Sequence, residues 1–550
     1  MSFTIAAVRY GAALAIALAI VLPGGADADT LADAVALAYA NNPTIRAQRA
    51  ALDAVNEQHV QARSAYGPHA QVSISDQYEQ VSGKFFGVRG VVGHEQANNG
   101  AATLTITQSL YSGGRNRIAV DAADAAILTQ RETLRQTETQ VLQQVVVAYV
   151  AVRRDQASLA ISRDNVAALE RQLRQVSAEF DVRQVTLTDL ELTNGRLAQA
   201  RSSAASAAAQ LEISRSLYLQ VVGESPGSLD PEPELEIPPD VTTAFDIGER
   251  NNPSLAAVRY QEQLARIRVA QARANYLPNV SAQVGLTSTP VQAYSSKLGS
   301  QQVLSAGVTL SQPLFESGLF ASQVRQALAL ANQAEAQIEV TRRAVVQGVA
   351  QAWSQLVSAR TALAADEAGV EATRKAFYGA RREQVFGLRA PIDVLNAQQE
   401  FNTAEARVLQ DRYNEYLART NLLAVTGVLV VQTFAPNVQG EASAGAFNKV
   451  AHKGDALLTD ALQTLDSIAV RTPRVSPPAL RDGRPPLVSN LKMPAAPASA
   501  SRAPPLVSAT SVIEQEDRER PTSPETNRPA SCDGTAAPAD CPPIASHRPD

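Results

Sequence analysis

Residues 104–114 read LTITQSLYSGG, and residues 308–318 read VTLSQPLFESG. Each begins as an apolar–polar alternation, the period of a half-buried strand, and ends in small turn residues. A long stretch without a helix breaker follows. No proline occurs between Pro68 and Pro226, or between Pro313 and Pro391. Proline interrupts helix interiors, so both gaps admit very long helices. The run from Ser112 to Phe180 would extend roughly 100 Å at about 1.5 Å per residue.

The repetition goes further. NNP at 41–43 returns at 251–253, and QARSAYGP at 61–68 returns as QARANYLP at 271–278, both shifted by 210. TDL at 188–190 returns as IDV at 392–394, VVG at 221–223 as VTG at 425–427, and Tyr149 falls on Trp353, all shifted by 204. The six-residue difference lies at roughly 79–103. A unit of about 200 residues is therefore duplicated in tandem. Each copy is expected to run helix, strand, loop, strand, very long helix, turn, helix: a mostly α fold with a small β part.

Apolar residues in the long helices recur every seven positions. Val145, Val152, Leu159, Val166, Leu173 and Phe180 form one series, with Leu169 and Val176 beside it. Val349, Leu356, Leu363, Val370 and Phe377 form the other. Such a seam keeps one stripe against a partner helix, as in a coiled coil.

The strands are polar on one side. Val72, Ile74 and Tyr78 alternate with Gln71, Ser73, Ser75 and Gln77; Leu104, Ile106 and Leu110 alternate with Thr103, Thr105, Thr107 and Ser109. Val280, Val284 and Leu286, and then Leu304, Val308 and Leu310, repeat this in the second copy. An apolar face for lipid and a small polar face for a watery lumen are the marks of a membrane barrel. The segments are about 10 residues, the length of a tilted membrane strand. Loops are expected at 80–101, carrying Lys84, Phe85, Phe86 and Arg89, and at 288–301. Four strands cannot close a barrel, since the smallest have about eight, and lipid does not tolerate open edges. Subunits that span a membrane this way must share one barrel.

The amino terminus reads as a secretory signal: Arg9, an apolar stretch at 11–22, and an A-x-A site at Ala26-Asp27-Ala28. The expected segments are a signal at 1–28, a first repeat at 29–225, an acidic Pro-rich linker at 226–240, a second repeat at 241–435, a periplasmic extension at 436–472 and a tail at 473–550. That tail holds 16 of the 30 prolines and has a disordered composition. Cys532 and Cys541, both in the tail, fit either a short-loop disulfide or an incidental pair. The net charge of -5 carries no nucleic-acid signature. His59, His69, His94, His452 and His547 form no metal-ligand spacing, and no nucleotide or nucleophile motif is present. The expectation is a protein without cofactor or metal, and not an enzyme.

Over about 31–430, these features resemble the TolC-type outer-membrane efflux family. The resemblance implies a homotrimer with a 12-stranded outer-membrane β-barrel. That barrel would continue into a periplasmic α-helical coiled-coil tunnel with a closed tip. The protein would be the passive exit duct of a tripartite efflux or type I secretion system. It would sit in outer-membrane lipid and work with a periplasmic adaptor (membrane fusion protein) and an inner-membrane transporter.

The same resemblance places function at the helix-to-helix turns. In FDVRQVTLTDL at 180–190, Phe180, Val182, Thr188 and Asp189 match the family turn, and Arg183 stands where the family has glycine. In QVFGLRAPIDVLNA at 384–397, Gly387, Arg389 and Asp393 match. Arg389 would constrain the closed tip. Asp393 would join a carboxylate ring, with Asn396 at the position of a second ring acid; Thr188 and Asp189 would complete the constriction. Val182, Arg183 and Gln184, with Val385, Phe386, Gly387 and Leu388, would meet the adaptor. Asp393 and Asn396, three apart, share a helix face. Helix capping is the competing role for Asp189 and Asp393. A periplasmic coiled-coil adaptor would carry one hairpin between β-domains, and a structural coiled coil would lack lumen-type strands. Two hairpins and four strands favour the channel.

Overall fold

The computed structural model describes residues 30–84, 92–293, 296–438 and 458–469, with 447, 453 and 493 singly. The signal at 1–28, Phe85, Phe86, Arg89, Cys532, Cys541 and all of the 473–550 tail except Met493 lie outside the described residues. The first half runs α1 (Leu31–Asn41), α2 (Pro43–Ser64), β1 (Pro68–Lys84), β2 (Val92–Tyr111), α3 (Arg115–Asp181) and α4 (Leu187–Val222). The second runs α5 (Val241–Asn251), α6 (Pro253–Ala274), β3 (Asn279–Ala293), β4 (Ser296–Ser311), α7 (Leu319–Val385) and α8 (Pro391–Val425). Two short helices follow, α9 (Val431–Phe434) and α10 (Thr459–Ala469).

The NNP motif lies between the first two helices of each copy. It breaks one helix from the next. Asn42 ends α1 and caps α2, its side chain accepting from the Thr44 amide at 2.9 Å with Pro43 in the first turn. Its amide group also donates to the Val221 carbonyl at 3.0 Å, at the end of α4. Asn252 repeats both roles, accepting from Ser254 at 3.0 Å and donating to Val425 at 2.8 Å. One side chain thus satisfies the orphan groups of two helix ends.

α3 and α7 are each 67 residues long and pair with α4 and α8 as two hairpins. Most heptad positions are covered: Val145, Val152, Val176, Val349 and Leu356 are fully buried, Leu159, Leu169, Leu363 and Phe377 nearly so, while Val166, Leu173, Phe180 and Val370 are half-buried. Tyr149 and Trp353, the equivalent aromatics, anchor the two main clusters. The linker is strapped down as well. Tyr149 donates to the Asp230 carbonyl at 2.8 Å, Tyr416 donates to that of Pro233 at 3.1 Å, and Leu235 is buried.

The four strands form one antiparallel sheet in the order β1-β2-β3-β4. Leu104, Ile106, Val284 and Leu286 are exposed on one face, while Thr103, Thr105 and Thr107 on the other are partly covered. This suits a sheet curling with its polar side inward. The strands exceed expectation at 15 to 20 residues. Most of the segments expected as loops, at 80–101 and 288–301, are therefore paired, up to Lys84↔Val92 and Ala293↔Ser296. A hairpin ladder satisfies its own backbone groups and does not stop where the apolar alternation stops.

Among the described residues, no helix is long and apolar enough to cross a membrane.

Candidate functional site

Both hairpins turn by the same device. Arg183 N donates to the Phe180 carbonyl at 2.9 Å and Gln184 N to that of Glu179 at 2.8 Å. Gly387 N and Leu388 N repeat this to Gln384 and Glu383, both at 2.9 Å. These pairs are Schellman closures, which require a left-handed residue after the helix. Gly387 supplies it at φ +71°; Arg183 supplies it at φ +64°, where a side chain is strained. The turn keeps its shape although glycine is absent from the first tip. Val182, Val385, Phe386 and Leu388 are all more than 60% exposed, and Arg183, Gln184 and Gly387 are also exposed. The second tip thus presents an apolar knob to its surroundings, and the first a single valine beside Arg183 and Gln184.

The two helices that leave the turns begin differently. Thr186 caps α4 in a reciprocal box: Asp189 N donates to Thr186 Oγ1 at 3.2 Å, and Asp189 Oδ2 accepts from Thr186 N at 3.1 Å. In α8 the equivalent cap is Ala390, with Pro391 in the first turn and no side-chain cap. Asp393 is exposed and its carboxylate makes no hydrogen bond or ion pair among the described residues. The capping role therefore belongs to Asp189 and leaves Asp393 unengaged. Thr188 is exposed beside Asp189.

Arg389 Nε donates to Glu383 Oε2 at 2.7 Å, both side chains about half exposed. Its partner is thus on the preceding helix of its own hairpin, six residues back. Asn396 Oδ1 accepts from Arg196 Nη2 of α4 at 3.2 Å. Arg196 was not singled out from sequence, and nothing in its spacing marks it.

α8 lies between the hairpins. Val394 packs with Phe377 and Ala380 of α7, whereas Leu395 packs with Leu169, Leu197 and Ala200 of the first hairpin. Asp393 and Asn396 flank the opposite face, with exposed Glu400 one turn on. Glu400 completes an acidic and polar stripe that sequence reading left out. Part of the contact between hairpins near the tip is polar: a groove of about 250 Å³ is lined by Ser162, Asn165, Arg196, Gln398 and Asn402 as well as by Ile161, Leu169, Ala200, Leu395 and Ala406, and Gln398 donates to Asn165 at 3.1 Å. Polar faces part more cheaply than apolar ones, because water replaces their hydrogen bonds.

Higher on α8, burial pushes the Glu405 carboxyl up to about 7, with Asp164 adding to the rise and Arg374 opposing it. Burial, with a hydrogen bond that the protonated carboxyl donates to Asp366 and the Asp366 charge itself, pushes Asp411 up to about 6. Among the described residues no three His, Cys, Asp or Glu side chains gather as a metal-ligand set.

A duplicated coiled-coil hairpin carried on a sheet with a lumen-type face is the architecture of a channel subunit. The outer membrane efflux protein family profile matches residues 34–222 and 249–428, and the chain belongs to that family. It is an outer-membrane exit channel of the efflux and type I secretion class. The outer membrane efflux protein BepC of Brucella suis biovar 1 (strain 1330) is 29% identical over 423 residues, 75% of this chain and 90% of that protein. The outer membrane protein TolC of Escherichia coli (strain K12) is 24% identical over 419 residues, 73% and 83% of the two chains. The Campylobacter jejuni CmeC outer membrane channel superposes with a TM-score of 0.64 at 14% identity, over 78% of this chain and 90% of that one.

Proposed function

We infer that three copies of this chain close one 12-stranded barrel above a tunnel of six hairpins, and that the tips gate it. The supporting observation is a pair of unequal edges related by the internal repeat. β1 and β4 are the free edges of the sheet, and the β2–β3 pairing is the pattern for joining them. Within the chain, Thr105 lies opposite Gly285. Shifting the first by 204 and the second by 210 sets Thr309 opposite Ser75 of the partner subunit. The junctions below agree. A Cβ at Gly113 would approach Leu277 Cβ to 2.7 Å. At the equivalent place between copies, Ser317 replaces Gly113 and Gly67 replaces Leu277. The larger residue has moved to the other side, so the same space is filled.

In this reading Asp393 contributes one carboxylate per chain to a ring at the tip, and Glu400 extends the field up the lumen. Such a ring attracts cations and repels itself. Arg389, held by Glu383, fixes the tip turn. A periplasmic adaptor would engage the exposed turns at 182–184 and 385–388, and an inner-membrane transporter would supply the energy. Parting of the two hairpins along the groove between α3, α4 and α8 would open the duct.

Arg389→Ser in a planar bilayer tests the gate. Serine cannot reproduce the guanidinium's planar fork. The account expects a higher single-channel conductance and entry of large antibiotics into cells. Parent-like conductance would remove Arg389 from the gate.

A further inference from the structure

α10 is set apart from the repeat, for it follows both copies and has no counterpart after the first. It docks where β2 becomes α3. Leu462 is buried against Tyr66 and Val120, beside Ala62 and Leu110. Asp466 is buried and accepts from Ser112 N at 2.9 Å, Ser112 Oγ at 2.5 Å and Gly114 N at 3.4 Å. Those amides belong to the turn that ends the strand, so this carboxylate fixes α10 to the junction. Gln108 donates to the Tyr66 carbonyl at 2.8 Å. Gln108 shares its strand face with Leu104 and Ile106. α10 therefore lies on the side of the sheet that carries the apolar band, at the end of that band.

The rest of the helix surface divides into two sectors, each about 120° from the buried one. Asp460, Thr464 and Ser467 form the polar sector, and Asp460 reaches Arg63 in the last turn of α2 at 3.6 Å. Asp460 is almost wholly exposed, and Thr464 and Ser467 are exposed too, so that sector faces water. Leu458, Ala461, Leu465 and Ile468 form the other, with Ile468 80% exposed. The stripe is exposed along its length and lies about 120° round the helix from the polar sector. A helix with one sector on protein, one in water and one apolar suits a boundary where three media meet.

We propose that α10 is an interfacial helix, laying Leu458, Ala461, Leu465 and Ile468 into the phospholipid surface at the periplasmic edge of the barrel. Asp466 holds it against the strand-to-helix turn. The occupant of the stripe is lipid, because α10 docks at the end of the apolar band of β2, on the same side of the sheet, with Leu462 against Leu110. This rests on the reading of the sheet as membrane-spanning.

The full chain is reconstituted in vesicles of phosphatidylethanolamine and phosphatidylglycerol, with and without acyl chains brominated near the headgroup. Single variants Ile468→Trp, Thr464→Trp and Val308→Trp are compared by fluorescence. Trp353, the native tryptophan, is buried and gives a constant background. All three positions are exposed in the chain, so folding is preserved. The expected result is loss of emission by the brominated lipid at Ile468→Trp and Val308→Trp, and none at Thr464→Trp. Quenching at Val308→Trp without quenching at Ile468→Trp overturns the interfacial helix and leaves the barrel standing. A blue-shifted but unquenched Ile468→Trp also overturns it, with a protein surface as the cover. No quenching at Val308→Trp defeats the membrane reading of the sheet itself.

Discussion

Arg183 and Gly387 hold the same left-handed backbone conformation, φ +64° and +71°, at hairpin tips 204 residues apart. The hydrogen bonds around them match pair by pair. The turn is therefore specified by its ladder of carbonyls, and the first tip keeps it against the preference of an L side chain.

Arg183→Gly should relieve that strain and stabilise the first tip by roughly 1 kcal/mol. Gly387→Ala should cost the second tip a similar amount. Amide hydrogen exchange at residues 184 and 388 reads both. Faster exchange at 184 in Arg183→Gly would show that the arginine side chain itself holds the turn.

Asp189 and Asp393 are equivalent by repeat and unlike in role. Asp189→Ala breaks the capping box with Thr186, so it should destabilise α4 by about 1 kcal/mol and leave conduction nearly unchanged. Asp393→Ala should leave stability unchanged and weaken block by divalent and trivalent cations in a bilayer. The opposite assignment of the two phenotypes would mean that the first hairpin lines the constriction.

Glu405 makes α8 sensitive to pH. Its carboxyl is raised from 4.5 to about 7 by burial, so folding favours the protonated form. That contribution is complete below about pH 4.5 and is lost as pH rises through about 7. Glu405→Gln keeps the neutral form at every pH. Thermal unfolding should show the variant more stable than the parent above about pH 7, with the gap closing toward about pH 4.5. A gap that does not change with pH would rule out this ionisation as its cause.

Gly223 and Gly427 end α4 and α8, both in the left-handed region, yet their surroundings differ. A Cβ at Gly427 would stand 2.4 Å from the Asn251 carbonyl oxygen, whereas none of the described residues lies within 4 Å of one at Gly223. Gly427→Ala should therefore be the severe change, at about 3 kcal/mol or more, and Gly223→Ala the mild one, at about 1 kcal/mol. Denaturant midpoints of the two variants check the order.

The repeat made most of this fold legible. Heptads, strand alternation and proline gaps are periodic signals, and they located the long helices, the strands and both turns. Contacts between distant residues leave no such signal. Asp466 meets Ser112 across 354 positions, and Arg196 meets Asn396 across 200. α10 is a short helix ahead of a Pro-rich tail whose composition hid it. The strand ends were misplaced because pairing outlasts the apolar alternation. At the tip, Asp189 and Asp393 looked alike until Thr186 and Ala390 separated them.

The shared barrel is tested most directly by one cross-link. In a chain with Cys532 and Cys541 replaced by serine, Ser75→Cys and Thr309→Cys are combined and oxidised in outer-membrane fractions. The account predicts a disulfide between copies, giving dimer and trimer bands on a non-reducing gel, and little from the off-register pair Gln77→Cys with Thr309→Cys. A monomer band alone, or equal cross-linking from both pairs, would contradict the β4-to-β1 closure.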